Sequence, residues 1–333
     1  MNVKLSNINA GGDFSELAPA LKVVNSGARE CCLYPEVVRH FTQDGASRRS
    51  GSHFDGKHFV LSRRSIEKAA SIPSQKNHAV IMGAGNLTDI PIETLAKTYK
   101  KVTLVDIDTS SPRVAISNRL SSEYKSKLAY MQADLTGVMN QLCLLIRHVV
   151  DGLPSPETNT EKEELLALFE TRLDEVYRKG LSFQGEYPNV RGDFVSVSLV
   201  LSQLSVLIRD YAQSCFNEKY DFPEIPDSTR KTAAYDALSD KMQADFLDAV
   251  VKTVEPEGVV YFGISKSLNI DICDNFGQWQ QSAQVELVKD ETMIDWLSQF
   301  EVKDESSWQW CDLDGEGVRR SFDIDSYTIL FPK

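Results

Sequence analysis

This chain predicts an α/β protein organised on a mostly parallel sheet, and three observations carry that prediction. Two short apolar runs of strand length, Ala79 to Met82 and Val102 to Val105, flank a helix-length segment, which is the repeat of a parallel β-α-β unit. The first run stops at Gly83-Ala84-Gly85 and the second at Asp106-Ile107-Asp108. Helical and strand patterns then alternate to the end of the 333 residues, 42% of them hydrophobic and 25% charged, an ordinary composition for a globular domain.

Residues 1 to 75 precede the first sheet strand and read as an amino-terminal helical cap or lid. Leu33 to Phe41 suggests a short helix, and Gln43 to Lys57, rich in Gly, Ser and charge, reads as loop. Arg48, Arg49, Lys57, Arg63 and Arg64 form a basic cluster on an acidic protein. A solvated face explains it, and so does a mobile segment that closes over a site and fixes a carboxylate. Tyr34, His53 and His58 are residue types that serve sites, and a structural role is the default for each.

The β-α-β unit carries the chemistry. Glycines without a Cβ let the backbone approach a ligand, and amides opening a helix attract an anionic group. Pro91 suits the first turn of such a helix, which Ile92 to Tyr99 then continues. Asp106, about 20 residues past the glycines, is placed to accept two ribose hydroxyls. Together these features point to an adenosine-containing ligand. A dinucleotide site wants a third glycine where this chain has Thr88.

On these residues the chain resembles the class I S-adenosylmethionine-dependent methyltransferases, over a domain of residues 76–333. The resemblance implies a three-layer α/β sandwich with a seven-stranded, mostly parallel sheet, into which an antiparallel strand near the carboxyl terminus inserts. It implies S-adenosylmethionine as cofactor. Gly83, Ala84, Gly85 and Asn86 would cradle its methionine end, and Asp106 with Ile107 its ribose. Asp134 and Leu135, ending the run Tyr130 to Leu135, would meet the adenine. Ser198 and Leu199, within Phe194 to Leu204, would floor the site. Met82 stands where many members have an acid. Gln203 stands where many have a histidine, so it is the tentative catalytic residue, orienting the acceptor by hydrogen bonds.

Between Asp134 and the fourth strand, residues 135–190 read as a helical insertion. Leu142, Leu145, Ile146 and Val149 repeat at helical spacing, prolines interrupt, and Leu165, Leu168, Phe169, Leu173, Val176 and Tyr177 form a second apolar face. Gly180 sits as its carboxyl-terminal cap. This pair packs on the sheet domain, and forms part of an acceptor pocket or a homodimer contact in the sharper reading. Leu204 to Phe216 predicts a helix, Tyr220 to Asp227 a proline-bearing loop, and Thr229 to Val254 another helix. Pro256-Glu257-Gly258 then turns the chain into a strand at Val259 to Phe262. Glu291 to Phe300 predicts a short helix, and Trp308 to Cys311 with Tyr327 to Phe331 two final strands.

Composition narrows the function. A net charge of -12 disfavours general attraction to nucleic acid. Six cysteines without CxxC pairs, and no histidines at zinc spacing, point to no metal and a reducing, cytoplasmic setting. No apolar run reaches membrane-spanning length, and MNVKLSNINAGGDF lacks the apolar core of a signal peptide. The expected function is methyl transfer to an oxygen or nitrogen of a small molecule. The alternatives are a protein methyltransferase, and an NAD-dependent oxidoreductase or silent nucleotide-binding module.

Overall fold

The computed structural model describes residues 53–54, 56–117, 119–156, 158–220, 232–273, 278–313 and 318–332. The expectations placed on Leu33 to Phe41, Tyr34, Arg48, Arg49 and most of the Tyr220 to Asp227 loop lie outside these residues. The chain divides into two compact units. Among the described residues, one comprises Thr136–Glu186 and Leu204–Gln243, and the other residues 53–135, Tyr187–Gln203 and residues 244–332.

Nine strands form one sheet among the described residues: β1 (His53–Phe54), β2 (His78–Met82), β3 (Lys101–Asp106), β4 (Leu128–Gln132), β5 (Gly192–Ser198), β6 (Val254–Cys273), β7 (Trp279–Glu286), β8 (Glu301–Leu313) and β9 (Val318–Leu330). Their order is β1-β8-β9-β6-β5-β2-β3-β4, with β7 paired to β6. The pairs β2–β3, β2–β5, β3–β4 and β5–β6 are parallel. β9 runs antiparallel to both β6 and β8, so β8 shares the direction of the parallel set. The expected seven-stranded sheet is therefore present as β4-β3-β2-β5-β6-β9-β8, with the carboxyl-terminal strand inserted antiparallel. The edge strands β1 and β7 were not foreseen.

The helices are α1 (Gly56–Ser71), α2 (Ile92–Thr98), α3 (Ser110–Ser117), α4 (Ser122–Lys125), α5 (Met139–Gly152), α6 (Asn159–Gly180), α7 (Leu204–Tyr220), α8 (Ala233–Lys252) and α9 (Asp290–Leu297). None of the described helices is long and apolar enough to cross a membrane. In the sheet unit, α1 buries His58, Ser62, Ile66 and Ala69 at helical spacing. Ile66 and Ala69 join a core with Leu95 and Ala96 of α2, Ile116 of α3, and Ile81, Leu104, Phe194 and Tyr261 of the sheet. Neighbouring strand residues face opposite ways, so Phe262 meets Trp296 of α9 on the other face, ring centroids 5.4 Å apart. Helices thus cover both faces, and the buried run Ala79 to Met82 is apolar throughout for that reason.

In the helical unit, α5 packs against α6 and α7. Phe169 stacks on Phe216 at 4.4 Å, and Lys219 Nζ donates to the carbonyls of Val150, Asp151 and Leu153, closing the carboxyl end of α5. Thr158 and Glu161 form a capping box that starts α6.

Four local expectations are corrected. Lys57, read as loop, lies inside α1. Gly180 is the last residue of α6, and the residue after it is right-handed helical, so there is no left-handed glycine cap. A Cβ on Gly180 would meet Leu142 Cδ2 at 2.8 Å and Leu238 Cδ1 at 3.0 Å; close packing selects the glycine. Pro256 to Gly258 is a bulge within β6, where the β5–β6 register shifts, and Glu257 takes the positive φ of 63°. β6 also runs on to Cys273, far beyond the predicted Phe262.

Candidate functional site

Parallel pairing sets several strand ends along one edge of the sheet. Met82 is in register with Val105 and Val197, and Asp106 with Gln132. The glycine turn, Asp106, Asp134 and Ser198 all follow from those positions, as the sequence expected of an open α/β sheet. Gly83 N and Ala84 N donate to Val105 O at 2.9 and 3.3 Å, and Gly85 N donates to Asp106 Oδ2 at 2.8 Å. Asp106 Oδ1 accepts Asp108 N at 2.9 Å. The carboxylate thus points at the turn and keeps spare acceptor positions. Burial pushes its pKa above the ordinary aspartate value, against the pull of the Gly85 and Asp108 amides.

The turn works differently from the expectation in two respects. All three of its amides are spent on β3, so they do not form an anion cradle. The helix is displaced as well: α2 has only seven residues, begins at Ile92, and has Pro91 at its N-cap with no side-chain cap bond. Its amino terminus does not open directly from the glycines. Gly83, at φ 70°, is selected by packing, since its Cβ would lie 2.2 Å from Val200 Cγ2. Gly85 is different. At φ 49° it is exposed, and the nearest atom to its Cβ position is Gly83 O at 4.0 Å, so this glycine faces open space.

Asn86 Oδ1 accepts Thr88 Oγ1 at 2.9 Å, which gives Thr88 a turn-forming role at the missing-glycine position. Leu87 and Leu199, neither of them glycine, hold positive φ of 59° and 58° on the two sides of this edge. Ser198 Oγ donates to Asp89 Oδ2 at 2.5 Å, and Leu199 N to Gly263 O at 2.8 Å. Gln132 Nε2 donates to Ile107 O at 3.0 Å, and Ala133 N to Asp106 O at 3.0 Å, tying the end of β4 to the end of β3. Asp134 and Leu135 are buried. Gln203 is exposed in a short 3-10 turn, its backbone N–H donating to Val200 O at 2.9 Å.

Three residues at this edge escaped the sequence reading. Asp89 bridges to β5, and its spacing gives no motif. Asp108 collects the amides and hydroxyls of Ser110 and Ser111. Burial opposes its charge, but those bonds hold its carboxyl below the usual value and so start α3. The Asp-x-Ser-Ser spacing carried that signal. Tyr187 is held protonated by burial and by the carboxylates of Asp245, Asp134 and Asp248.

Outside this edge, His58 is structural: it is buried, stacks on Trp310 at 4.6 Å, and its Nδ1 accepts Trp308 Nε1 at 3.0 Å. Among the described residues, no cluster of His, Cys, Asp or Glu is arranged to hold a metal ion. Within the helical unit a cavity of 430 Å³ is lined by Leu173, Tyr177, Arg209 and Tyr235 among others, and by none of the expected site residues.

No family model matches the chain, and no curated protein does. Solved structures similar to it include a glycopeptide N-methyltransferase, MtfA, crystallised with S-adenosylmethionine, at 10% identity and TM-score 0.38, covering 81% of this chain and 94% of that one. A Leishmania major SAM-dependent methyltransferase is similar at 13% identity and TM-score 0.37, covering 82% and 72%.

Proposed function

We propose that this chain is an S-adenosylmethionine-dependent methyltransferase acting on an oxygen or nitrogen. The observation that carries the reading is the Gly85 N to Asp106 Oδ2 contact at the ends of adjacent parallel strands, in a sheet whose last strand inserts antiparallel. The open face of Gly85 and the spare acceptor positions of Asp106 fit a nucleoside with a vicinal diol. Asp106 would take the ribose hydroxyls, with Ile107 beside it. Asp134 and Leu135 would border the adenine, while Gly83, Ala84, Gly85, Asn86, Ser198 and Leu199 would shape the methionine end.

The cofactor, when bound, supplies a methyl group already made electrophilic by its sulfonium. The protein's task is then to align the acceptor and exclude water. Gln203 is suited to orienting an acceptor and cannot accept its proton at neutral pH. Titration calorimetry with S-adenosylmethionine, its demethylated product and NAD tests the reading. Binding of the first two, weakened strongly in Asp106→Ala, is expected; affinity for NAD alone would end it.

A small-molecule acceptor is the reading favoured by the acidic composition and by a cap and inserted helices suited to enclosing a pocket, and most of that cap lies outside the described residues.

A further inference from the structure

We propose that the cavity in the helical unit binds a small organic anion, a carboxylate carried on an apolar or aromatic body, with Arg209 and the Tyr177 hydroxyl holding the carboxylate. Every described lining residue belongs to that one unit, so the site stands whether or not the sheet unit transfers a methyl group.

Three helices build the cavity. α6 supplies Leu173 and Tyr177, α7 supplies Arg209, and the first turn of α8 supplies Ala234 and Tyr235. At 430 Å³ it has the size of a small-molecule pocket, for which about 300–1,000 Å³ is usual. Tyr177 is 5% exposed, and its ring meets that of Tyr235 edge to face with centroids 5.3 Å apart. Its hydroxyl makes no hydrogen bond among the described residues, an arrangement that buried polar groups rarely keep without a ligand or water to take it up. The groups that act on this hydroxyl are Tyr235, Arg209 and Asp174, and all three line the cavity, so the hydroxyl faces into it. Burial, Tyr235 and Asp174 hold its proton against the pull of Arg209, which makes it a donor. The hydroxyl of Tyr235 is already bonded to Ser205.

The sign of the occupant follows from which charges are already paired. Of the lining carboxylates, Asp174 pairs with Arg178, and Glu175 with Arg172 at 3.1 Å. Glu170 remains, but it stands two helical turns from Tyr177, about 10 Å along α6. Asp210 and Asp236 act on Tyr235 from outside the lining. Arg209 is half-buried and makes no ion pair among the described residues, so its charge is left for an occupant. At the same wall, Thr232 Oγ1 takes the amide of Tyr235 at 3.2 Å, which leaves the amides of Ala233 and Ala234 without intrahelical partners. Guanidinium, phenol and helix amides are all donors, and together they suit a carboxylate. A chain of net charge -12 has no general attraction for anions, so one captured here is captured by these groups. Leu173 and the two tyrosine rings make the rest of the wall apolar, which favours an organic body over a bare inorganic anion.

Titration calorimetry of the full chain with 2-naphthoate, its neutral amide 2-naphthamide and inorganic phosphate tests the site. Naphthoate is expected to bind about tenfold or more tightly than either of the others, the margin of one charge-assisted pair. Arg209→Gln should remove that margin, and Tyr177→Phe should weaken naphthoate by about three- to tenfold. Neither change deletes a hydrogen bond among the described residues, so both variants should keep the wild-type thermal midpoint. Lys179→Gln makes the same charge change at an exposed position of α6 and should bind as the wild type does. The assignment is overturned if naphthoate binds no better than naphthamide, if phosphate binds as tightly, if both site variants bind as the wild type does, or if Lys179→Gln weakens binding as much as Arg209→Gln. Displacement of naphthoate by S-adenosylmethionine would put the ligand outside this cavity and overturn it as well.

Discussion

Asp106 sits half-buried with its carboxylate facing the turn, and its proton is held more tightly than an ordinary aspartate's because burial penalises the charge. Ribose recognition needs the ionised, acceptor-only form, so donor affinity should fall as pH drops through a value above the usual aspartate range. For folding the sign is opposite: the folded chain binds this proton more tightly, and the contribution to stability is lost as pH rises through the same window. Calorimetric titration across pH should show the affinity loss, and Asp106→Asn should flatten it; a profile shared by both proteins would detach the effect from this carboxyl. The two glycines beside it make a sharper comparison. Gly83→Ala combines positive φ with a 2.2 Å approach to Val200 and should cost several kcal/mol, of which overpacking is about 1–3. Gly85→Ala, facing open space, should cost only the backbone strain, about 1–2 kcal/mol. Urea denaturation of both variants separates the cases. The sequence made Gly83, Gly85 and Asp106 legible because strand ends and a glycine turn leave a local pattern. It gave the wrong cause for Gly83, because Val200 is distant in the chain. Asp89 stayed hidden for the same reason, since its link to Ser198 spans two strands.

Elements show the same division between local and distant causes. The capping box of Thr158 and Glu161, and the apolar faces of α5 and α6, are written in consecutive turns of sequence. The length of β6 is not, because Lys266 to Ile270 are all half-exposed and lack strict alternation. β7 escaped for a related reason, as Gln281, Ser282 and Gln284 read as loop until β6 supplies a partner. Gly180 tests the packing explanation. In an open helix, Gly→Ala gains about 1 kcal/mol. Here the added methyl meets Leu142 and Leu238, so Gly180→Ala should lower the thermal midpoint, by the equivalent of about 1 kcal/mol. A raised midpoint would return Gly180 to the capping role.

The whole chain divides into a helical unit and a sheet unit interleaved along the sequence, and its tryptophans report on only one of them. All four, Trp279, Trp296, Trp308 and Trp310, belong to the sheet unit, whereas α5, α6 and α7 belong to the helical one. Tryptophan fluorescence therefore follows the sheet, and ellipticity near the helical minimum is weighted toward the helices. Each unit has its own buried aromatics: Phe169 stacked on Phe216 in one, Tyr99 stacked on Phe194 in the other. Cooperativity across a chain requires that losing one core remove contacts the other depends on. Each unit carries its own buried core, so denaturant is expected to melt the units at different concentrations, and the two optical probes to give different midpoints. The donor adds a second handle, because the proposed site residues up to Asp134 and from Ser198 to Gln203 are all in the sheet unit. S-adenosylmethionine should move the fluorescence midpoint upward more than the ellipticity midpoint, in proportion to its saturation of the native sheet. Coincident curves that shift together would make the chain a single cooperative unit.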